Sequence, residues 1–176
     1  MYDEIKRLDN PDGTPKTTAR IAAGYCWEWK GDRMSNGDLS KEVIIKDAAG
    51  NTIFAMPWET QKGKRPSGAF RDMYASSAET WATEPAGINQ VGCVFSIQGL
   101  ELDYIGVIIG EDVDYDPVDD RLVVIPGKTH SAPTGDDADK YIRNIYRVLL
   151  SRGKRGCFVY SCNQGVSEYL KRCARK

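Results

Sequence analysis

The stretch LDYIGVIIG, residues 102–110, decides the fold class. It reads as a strand, and from Ile105 onward its side chains are apolar on both faces. A strand that is buried on both faces is typical of the middle of a parallel sheet, because helices cover the two sides of such a sheet. The stretch therefore predicts the centre of a parallel sheet.

The sequence on either side predicts strands that alternate with helices. Predicted strands or strand pairs cover ARIAAGYCWEW (19–29), EVIIKDAAGNTIFAMPW (42–58), QVGCVFSIQG (90–99), EDVDYDPVDDRLVVI (111–125) and GCFVYSC (156–162). Predicted helices lie in YDEIKRL (2–8), SAPTGDDADKYIRNIYRVLLSRG (131–153) and GVSEYLKRCAR (165–175). The second and fourth strand segments are expected to be hairpins, with turns at AAGN and at Pro117. This alternation predicts an α/β domain with a mainly parallel sheet and antiparallel ribbon insertions.

The longest predicted helix shows one apolar face. Its apolar positions have the spacing of one side of a helix: Ile142, Ile145, Tyr146 and Leu149. Asp136 or Asp137 could cap its start, and Gly153 could stop it.

Length and composition fit one globular domain. The chain has 176 residues, of which 41% are hydrophobic and 28% are charged. A formal net charge of −1 gives no global positive field, so any nucleic-acid surface has to be local. No apolar run reaches the roughly 18 residues of a membrane span, and the charged start MYDEIKRLDN is not a signal peptide. Five cysteines without a Cys-x-x-Cys motif, and the single His130, predict no metal site and suit the cytoplasm.

The stretch GKT (127–129) follows a predicted strand, as the end of a phosphate-binding P-loop does. A P-loop needs a glycine where Leu122 stands, and Pro126 removes one of the backbone donors that would wrap a phosphate. The acidic stretch GEDVDYD (110–116) continues into a turn and gives no convincing magnesium carboxylate. The sequence therefore predicts neither half of a nucleotide-hydrolysis centre.

Two stretches carry a family resemblance. VGCVFSIQGLELDYIGVIIG (91–110) resembles motif V of superfamily 1 helicases: a strand, a turn of the type Lys/Gln-Gly-x-Glu and a second apolar strand. YRVLLSRGKRG (146–156) resembles their motif VI, a helix that ends in Thr/Ser-Arg before a small residue. With AGYCWEW (23–29) ahead of both motifs, the chain resembles the bacterial Schlafen group 3-like DNA/RNA helicase family, a domain of unknown function, over residues 19–170.

The resemblance implies a RecA-like fold (P-loop NTPase-type, a three-layer α/β/α domain) over residues 19–176, after an N-terminal helix and linker at residues 1–18. In such ATPases a first RecA-like half carries the phosphate loop, and a second half carries motifs V and VI. The chain then resembles the second half, inactive alone, and its implied partner is the N-terminal RecA-like half of the same protein. The implied cofactor is ATP with magnesium, bound mainly by that other half. Single-stranded nucleic acid is a further implied partner, and no membrane is expected.

The resemblance also implies site residues. Arg152 corresponds to the arginine finger, which neutralises charge on the γ-phosphate; the alternative is an arginine that favours the dipole at a helix end. Glu101 corresponds to an acceptor for the ribose hydroxyl, and Gln98 to a residue between the nucleotide and nucleic-acid surfaces, while Gly99 permits a tight bend. The alternative is an ordinary turn with a solvated glutamate. Arg147 is interpreted as structural support that could pair with Asp103 or Glu101.

Phe95 and Ser96 stand where the family usually has histidine and often threonine, at the turn that touches the nucleic-acid strand. Phe95 could stack on a base or belong to the core, and its apolar neighbours favour the core. Trp27 and Trp29 alternate along the predicted strand, so both should point to one face and cover the sheet. The substitution at Phe95 and the absent P-loop also fit a second class of function, a non-catalytic RecA-like nucleic-acid or protein interaction module.

Overall fold

A computed structural model describes residues 1–14, 16–130 and 137–175. The strands are β1 (Ala19–Ala23), β2 (Val43–Lys46), β3 (Thr52–Met56), β4 (Val91–Gly92), β5 (Leu102–Ile109), β6 (Val113–Asp116), β7 (Arg121–Val124) and β8 (Gly153–Ser161). The helices are α1 (Tyr2–Leu8), α2 (Val94–Ile97), α3 (Ala138–Leu150) and α4 (Gln164–Cys173). Short 3-10 turns lie at Gly68–Phe70, Pro85–Asn89 and Pro126–Lys128.

The strand β5 lies inside the sheet, as its apolar sequence predicts. The main sheet has the order β4-β1-β5-β8, and its paired strands run parallel. Ile105, Val107 and Ile108 are fully buried, because β5 has a strand on each side and cover on both faces. The strand pairs β2–β3 and β6–β7 form the two predicted antiparallel ribbons. The α/β class with a mainly parallel sheet is therefore confirmed.

Helices lie on both faces of this sheet. Gly106 of β5 faces α1, since a Cβ atom at Gly106 would lie 3.1 Å from Ile5. Gly24, just after β1, faces the other side, where the side chain of Tyr146 from α3 occupies the space that a Cβ atom would need. The predicted apolar face of α3 is buried there, which confirms the helix.

A buried ion pair joins α1 to β1. The Oδ1 atom of Asp9, just after α1, accepts hydrogen bonds from Nη1 of Arg20 at 2.9 Å and from the backbone N–H of Ala19 at 3.0 Å. The guanidinium of Arg20 also donates to the carbonyl oxygens of Ala19, Trp81 and Glu84. This pair fixes the N-terminal helix against the edge of the sheet where β1 begins. The predicted boundary between residues 1–18 and 19–176 stays a prediction.

In QVGCVFSIQG (90–99), the strand predicted before the turn at Gln98 and Gly99 is wrong beyond Gly92. The chain turns into the short helix α2, and Ser96 stabilises its first turn: its hydroxyl accepts from the Cys93 backbone N–H at 2.9 Å and donates to the Cys93 carbonyl at 3.0 Å. A short apolar run such as VGCVFSI has no periodicity that separates a buried strand from a buried helix. The polar contact of Ser96 decides the conformation here.

The strand predicted at residues 19–29 is also too long, because β1 stops at Ala23. Trp27 and Trp29 therefore lie outside the sheet. Both are half-buried against the core. Their indole N–H groups donate to the carbonyl oxygens of Ile44 at 2.9 Å and Glu59 at 3.2 Å, respectively. They cover the core as predicted, but from an irregular segment.

The ends of α3 differ from the prediction. Asp136 lies outside the described residues, and Asp137 precedes the helix without a side-chain cap hydrogen bond. The helix ends at Leu150, so Gly153 does not stop it but begins β8. Within the described ranges, no helix is long and apolar enough to cross a membrane.

Candidate functional site

The turn between α2 and β5 is exposed at one edge of the sheet. We call the edge where β5 and β8 begin the amino edge, and the edge where they end the carboxyl edge. Gln98, Gly99 and Glu101 are exposed in this turn. Gly99 has a φ angle of +81°, in the left-handed region that favours glycine. The predicted role of Gly99 in a tight bend thus has a geometric basis.

Arg152 lies against this turn. Because β5 and β8 are parallel neighbours, their first residues meet, and the backbone N–H of Leu102 donates to the Arg152 carbonyl at 2.9 Å. The guanidinium donates to the carbonyl oxygens of Leu100 at 3.3 Å and Val148 at 3.0 Å, and to the Ser151 hydroxyl at 2.8 Å. The structure therefore brings Arg152 and the turn into direct contact.

Positive charge surrounds the turn. Lys154 lies 2.7 Å from Glu101, and this hydrogen bond holds the pKa of the Glu101 carboxyl below its ordinary value. Arg155 stacks over the ring of Tyr104 at 5.4 Å. Together with Arg152, these residues bring three cations to the amino edge, and one of them is paired with Glu101.

The predicted pairing of Arg147 is wrong. Its Nη1 atom donates to Asn144 on the same helix at 3.4 Å. Asp103 instead accepts from the backbone N–H of Thr18 at 2.9 Å. Arg147 therefore lies away from the acidic residues of the turn, on the exposed side of α3.

The segment 93–101 connects the two edges. It begins after β4, whose Gly92 is level with Ala22 of β1, and it ends before β5, whose Tyr104 is level with Ala19. Since the three strands are parallel, α2 starts near the carboxyl edge and the turn finishes at the amino edge.

Phe95 is exposed near the carboxyl edge, so its interpretation as a core residue is wrong. Its side chain is 64% exposed, and its ring lies 5.9 Å from the ring of Tyr25. The neighbours Val94 and Ile97 fill the core instead, because a helix turns the intervening residue outward where a strand of the same sequence would not. The hydroxyl of Ser96 is bound to the Cys93 backbone. Contact of either residue with nucleic acid stays a prediction.

Glu59 lies beneath α2 and was not identified from the sequence. It is 1% exposed, and neither carboxylate oxygen has a hydrogen-bond partner among the described residues. Burial raises the pKa of its carboxyl from 4.5 to about 7, although the adjacent Cys93 thiol and Ser96 hydroxyl act in the opposite direction. In the folded protein Glu59 is therefore protonated at mildly acidic pH, where an ordinary glutamate is ionised.

A signal for Glu59 exists in the sequence. It is an acidic residue that directly follows the apolar run IFAMPW, the second strand of the predicted hairpin. An acid in that position is either solvated or strongly perturbed. The structure decides between these alternatives. Trp58 pairs with Val91 in parallel, and this pairing places the following residue, Glu59, under α2.

The carboxyl edge also holds a cleft of about 650 Å³, and the GKT stretch forms part of its wall. The Lys128 ammonium is bound to Glu111 at 3.1 Å, and the Thr129 hydroxyl donates to the Tyr25 carbonyl at 3.3 Å. These contacts occupy the groups that a phosphate loop would present to a ligand. In the described part of the chain, no cluster of histidine, cysteine and acidic residues could hold a metal ion.

Comparisons with known proteins give one family match and one similar protein. A family model described as Schlafen group 3, DNA/RNA helicase domain, matches residues 1–163. The chain is similar to the uncharacterized protein YPL245W of Saccharomyces cerevisiae, with 34% identity over 106 residues that cover 54% of this chain and 23% of the yeast protein. The chain thus spans less than a quarter of that relative. No solved structure gives a significant match.

Proposed function

Because the chain belongs to the Schlafen group 3 DNA/RNA helicase domain family, we propose that it is the C-terminal RecA-like half of an ATP-dependent helicase-like motor. An N-terminal RecA-like half of the same protein would hold ATP and magnesium with its phosphate loop. This chain would complete the site with the turn at Gln98, Gly99 and Glu101 and with Arg152. The parallel sheet with helices on both faces is compatible with a RecA-like fold.

One observation carries the proposal: the Arg152 guanidinium contacts the Leu100 carbonyl within the turn that resembles motif V. Two stretches that are 52 residues apart in sequence therefore meet at the amino edge, beside the ion pair of Lys154 and Glu101. A polyphosphate held by a facing domain would find the arginine and the turn on the same surface. The sheet topology alone produces this meeting, since neighbouring parallel strands begin side by side.

The residues of the amino edge have distinct roles in this proposal. Arg152 exchanges its bonds to the backbone carbonyls for the γ-phosphate, where its charge offsets the negative charge that develops during phosphoryl transfer. Glu101 accepts a hydrogen bond from the ribose hydroxyl, in exchange for its contact with Lys154. Gln98 connects this site to the nucleic-acid surface at Phe95 and Ser96. ATP supplies the phosphoryl group, and the other half supplies the main binding energy.

The test is ATP hydrolysis by the protein that the full reading frame encodes, with and without single-stranded DNA. We expect Arg152→Ala to lower the rate by at least about a hundredfold, because an arginine finger contributes about 10³ to 10⁵ in other NTPases. Arg147→Ala is the matched control, since it removes an exposed arginine from α3 near the same helix end. Equal rates for the two variants would contradict the role of Arg152.

A second candidate function is a non-catalytic RecA-like interaction module. The observation that favours it is the engagement of Arg152: Nε, Nη1 and Nη2 each donate to an oxygen of the chain itself. In this case Arg152 stabilises the turn and touches no phosphate. Arg152→Ala would then lower the thermal stability, and the full-length protein would bind partners without hydrolysing ATP.

A further inference from the structure

Among the residues that the structure describes, no strand pairs with the outer side of β8. The strand stands last in the order β4-β1-β5-β8, so β5 pairs with one side of it and the other side is open. It is nine residues long. An open strand edge presents N–H and C=O groups that can pair with a further strand.

The strand register shows which backbone groups of β8 point outward. The N–H of Cys162 donates to the Ile109 carbonyl at 2.9 Å, so the even-numbered residues at this end of the strand turn their backbone groups toward β5. The direction alternates along a strand, and the groups of Cys157, Val159 and Ser161 therefore point away from the sheet. Within the described ranges, no hydrogen bond reaches the outward backbone groups of Cys157 and Val159.

The middle of this edge lacks the residues that protect most exposed strands. Natural proteins use charged side chains and prolines on an edge to prevent pairing with another chain. Lys154 and Arg155 lie at the start of β8, but residues 156–163 contain no charged side chain and no proline. Valine, phenylalanine and tyrosine in this stretch favour a strand. The edge from Cys157 to Ser161 is therefore suited to pairing.

A groove of about 550 Å³ lies beside this edge, between β8 and α4. Its lining includes Cys157, Val159, Leu170 and Ala174. The Val159 side chain is 42% exposed there. When a strand is added to a sheet edge, main-chain hydrogen bonds supply affinity, and pockets beside the edge receive alternate side chains. The edge of β8 offers both features.

We propose that two copies of this chain pair through the open edges of β8, antiparallel and with a two-fold axis at Val159. In this register Cys157 of each copy lies opposite Ser161 of the other, and the outward backbone groups of these residues bond across the axis. Val159 lies opposite its symmetry mate, and the two side chains fill the grooves under the α4 helices. The sheets of the two copies then form one continuous sheet.

The charges at the two ends of β8 favour a second copy as the occupant. The start is basic, and Arg155 takes part in no ion pair in the described part of the chain, since it stacks over Tyr104. The end is acidic, because Asp114 lies beside it and accepts a hydrogen bond from the Asn163 side chain at 2.6 Å. The antiparallel register places Arg155 of each copy opposite Asn163 of the other, next to that carboxylate. A parallel pairing would instead bring the two basic ends together.

The experiment is sedimentation equilibrium of the 176-residue chain from about 10 µM to about 1 mM. The buffer is reducing, because Cys157 and Cys173 are exposed and could form intermolecular disulfides. The average mass should rise with concentration toward twice that of one copy. Val159→Lys places two ammonium groups directly opposite each other at the axis, so it should weaken the dimer at least about tenfold.

The matched control is Val118→Lys, the same substitution at a side chain that is 90% exposed in the turn between β6 and β7. It should leave the dimer unchanged. A mass of one copy at every concentration, or equal weakening by the two lysine variants, would overturn the pairing.

Amide hydrogen exchange followed by NMR tests the register. The outward N–H groups of Cys157 and Val159 should exchange slowly at high protein concentration and fast at low concentration. Those of Phe158 and Tyr160 point toward β5 and should be protected at both concentrations. Exchange of Cys157 and Val159 that does not depend on concentration would contradict this edge as the interface. Neither assay contains ATP, so their failure is distinct from a failure of the proposed ATP site.

Discussion

Arg20 and Glu59 are both 1% exposed, yet their surroundings differ. Arg20 has a carboxylate at 2.9 Å and donates to three backbone carbonyls. Glu59 has no hydrogen-bond partner for either oxygen among the described residues. A buried charge is tolerated where its hydrogen bonds are made, and a buried carboxyl without donors keeps its proton instead.

The two positions therefore stabilise the fold in opposite ways. The pair of Arg20 and Asp9 fixes α1 to the sheet through a buried ion pair. Glu59 fills the space under α2 as a neutral acid, and it becomes unfavourable when it ionises. The stability of the region beneath α2 therefore depends on pH.

The largest expected effect comes from removing the carboxylate that pairs with the buried Arg20 guanidinium. Asp9→Ala leaves the Arg20 guanidinium buried without its counter-charge, and we expect a loss of about 3–5 kcal/mol in the free energy of unfolding. Urea denaturation followed by circular dichroism measures it. Asp9→Asn is the control, because its amide oxygen can still accept from the Ala19 N–H that Asp9 binds now. A loss below about 1 kcal/mol for Asp9→Ala would place this pair among ordinary surface pairs.

The second effect comes from pH. Between pH 4.5 and about 7 the native protein holds a proton on Glu59 that the unfolded chain releases, so the free energy of unfolding falls as the pH rises through this window. The full shift corresponds to about 3 kcal/mol. Burial also raises the pKa values of Tyr25 and of Cys93, the latter to about 12, so both stay neutral there. Urea unfolding at several pH values measures the fall.

Glu59→Gln isolates this effect, because the amide has nearly the same shape and does not titrate in this range. The unfolding free energy of wild type minus that of the variant should fall as the pH rises from 5 to 8, because only wild type carries the titrating carboxyl. A constant difference would assign the pH dependence to other groups.

The smallest effect is expected at an exposed ion pair. Arg7 and Glu4 lie three residues apart on α1, and both side chains are well exposed. Solvent screens such a pair, so Arg7→Ala should leave the melting temperature unchanged within error. The same thermal scan on Asp9→Ala, only two positions along the chain, gives the contrast. A comparable loss in both would show that α1 itself, and not the buried pair, determines the stability.

The parts of the fold that were predictable are those with a periodic signal. The one-sided apolar pattern of α3 is specific to a helix, and the apolar run of β5 is rich in isoleucine and valine, which favour a strand. The contact between Arg152 and the turn needs one further fact, that β5 and β8 are parallel neighbours, and only the structure gives that strand order.

The rest depended on tertiary contacts. Ser96 turns an apolar run into a helix by bonding to the Cys93 backbone, which exposes Phe95. Glu59 is buried only because Trp58 joins the sheet beside Val91. Neither contact leaves a spacing in the sequence, so neither the short helix at Ser96 nor the burial of Glu59 could be predicted from it.

The segment 93–101 has a mechanical consequence. It joins points that are about 20 Å apart, since β1 lies between β4 and β5 and the two ends differ in level. Its helical turn, its tight turn and its extended residues together reach about 25 Å at most. Ile97 in its middle is fully buried. A connection with so little spare length, held to the core by Ile97, leaves little freedom for the turn at one edge to shift relative to α2 at the other.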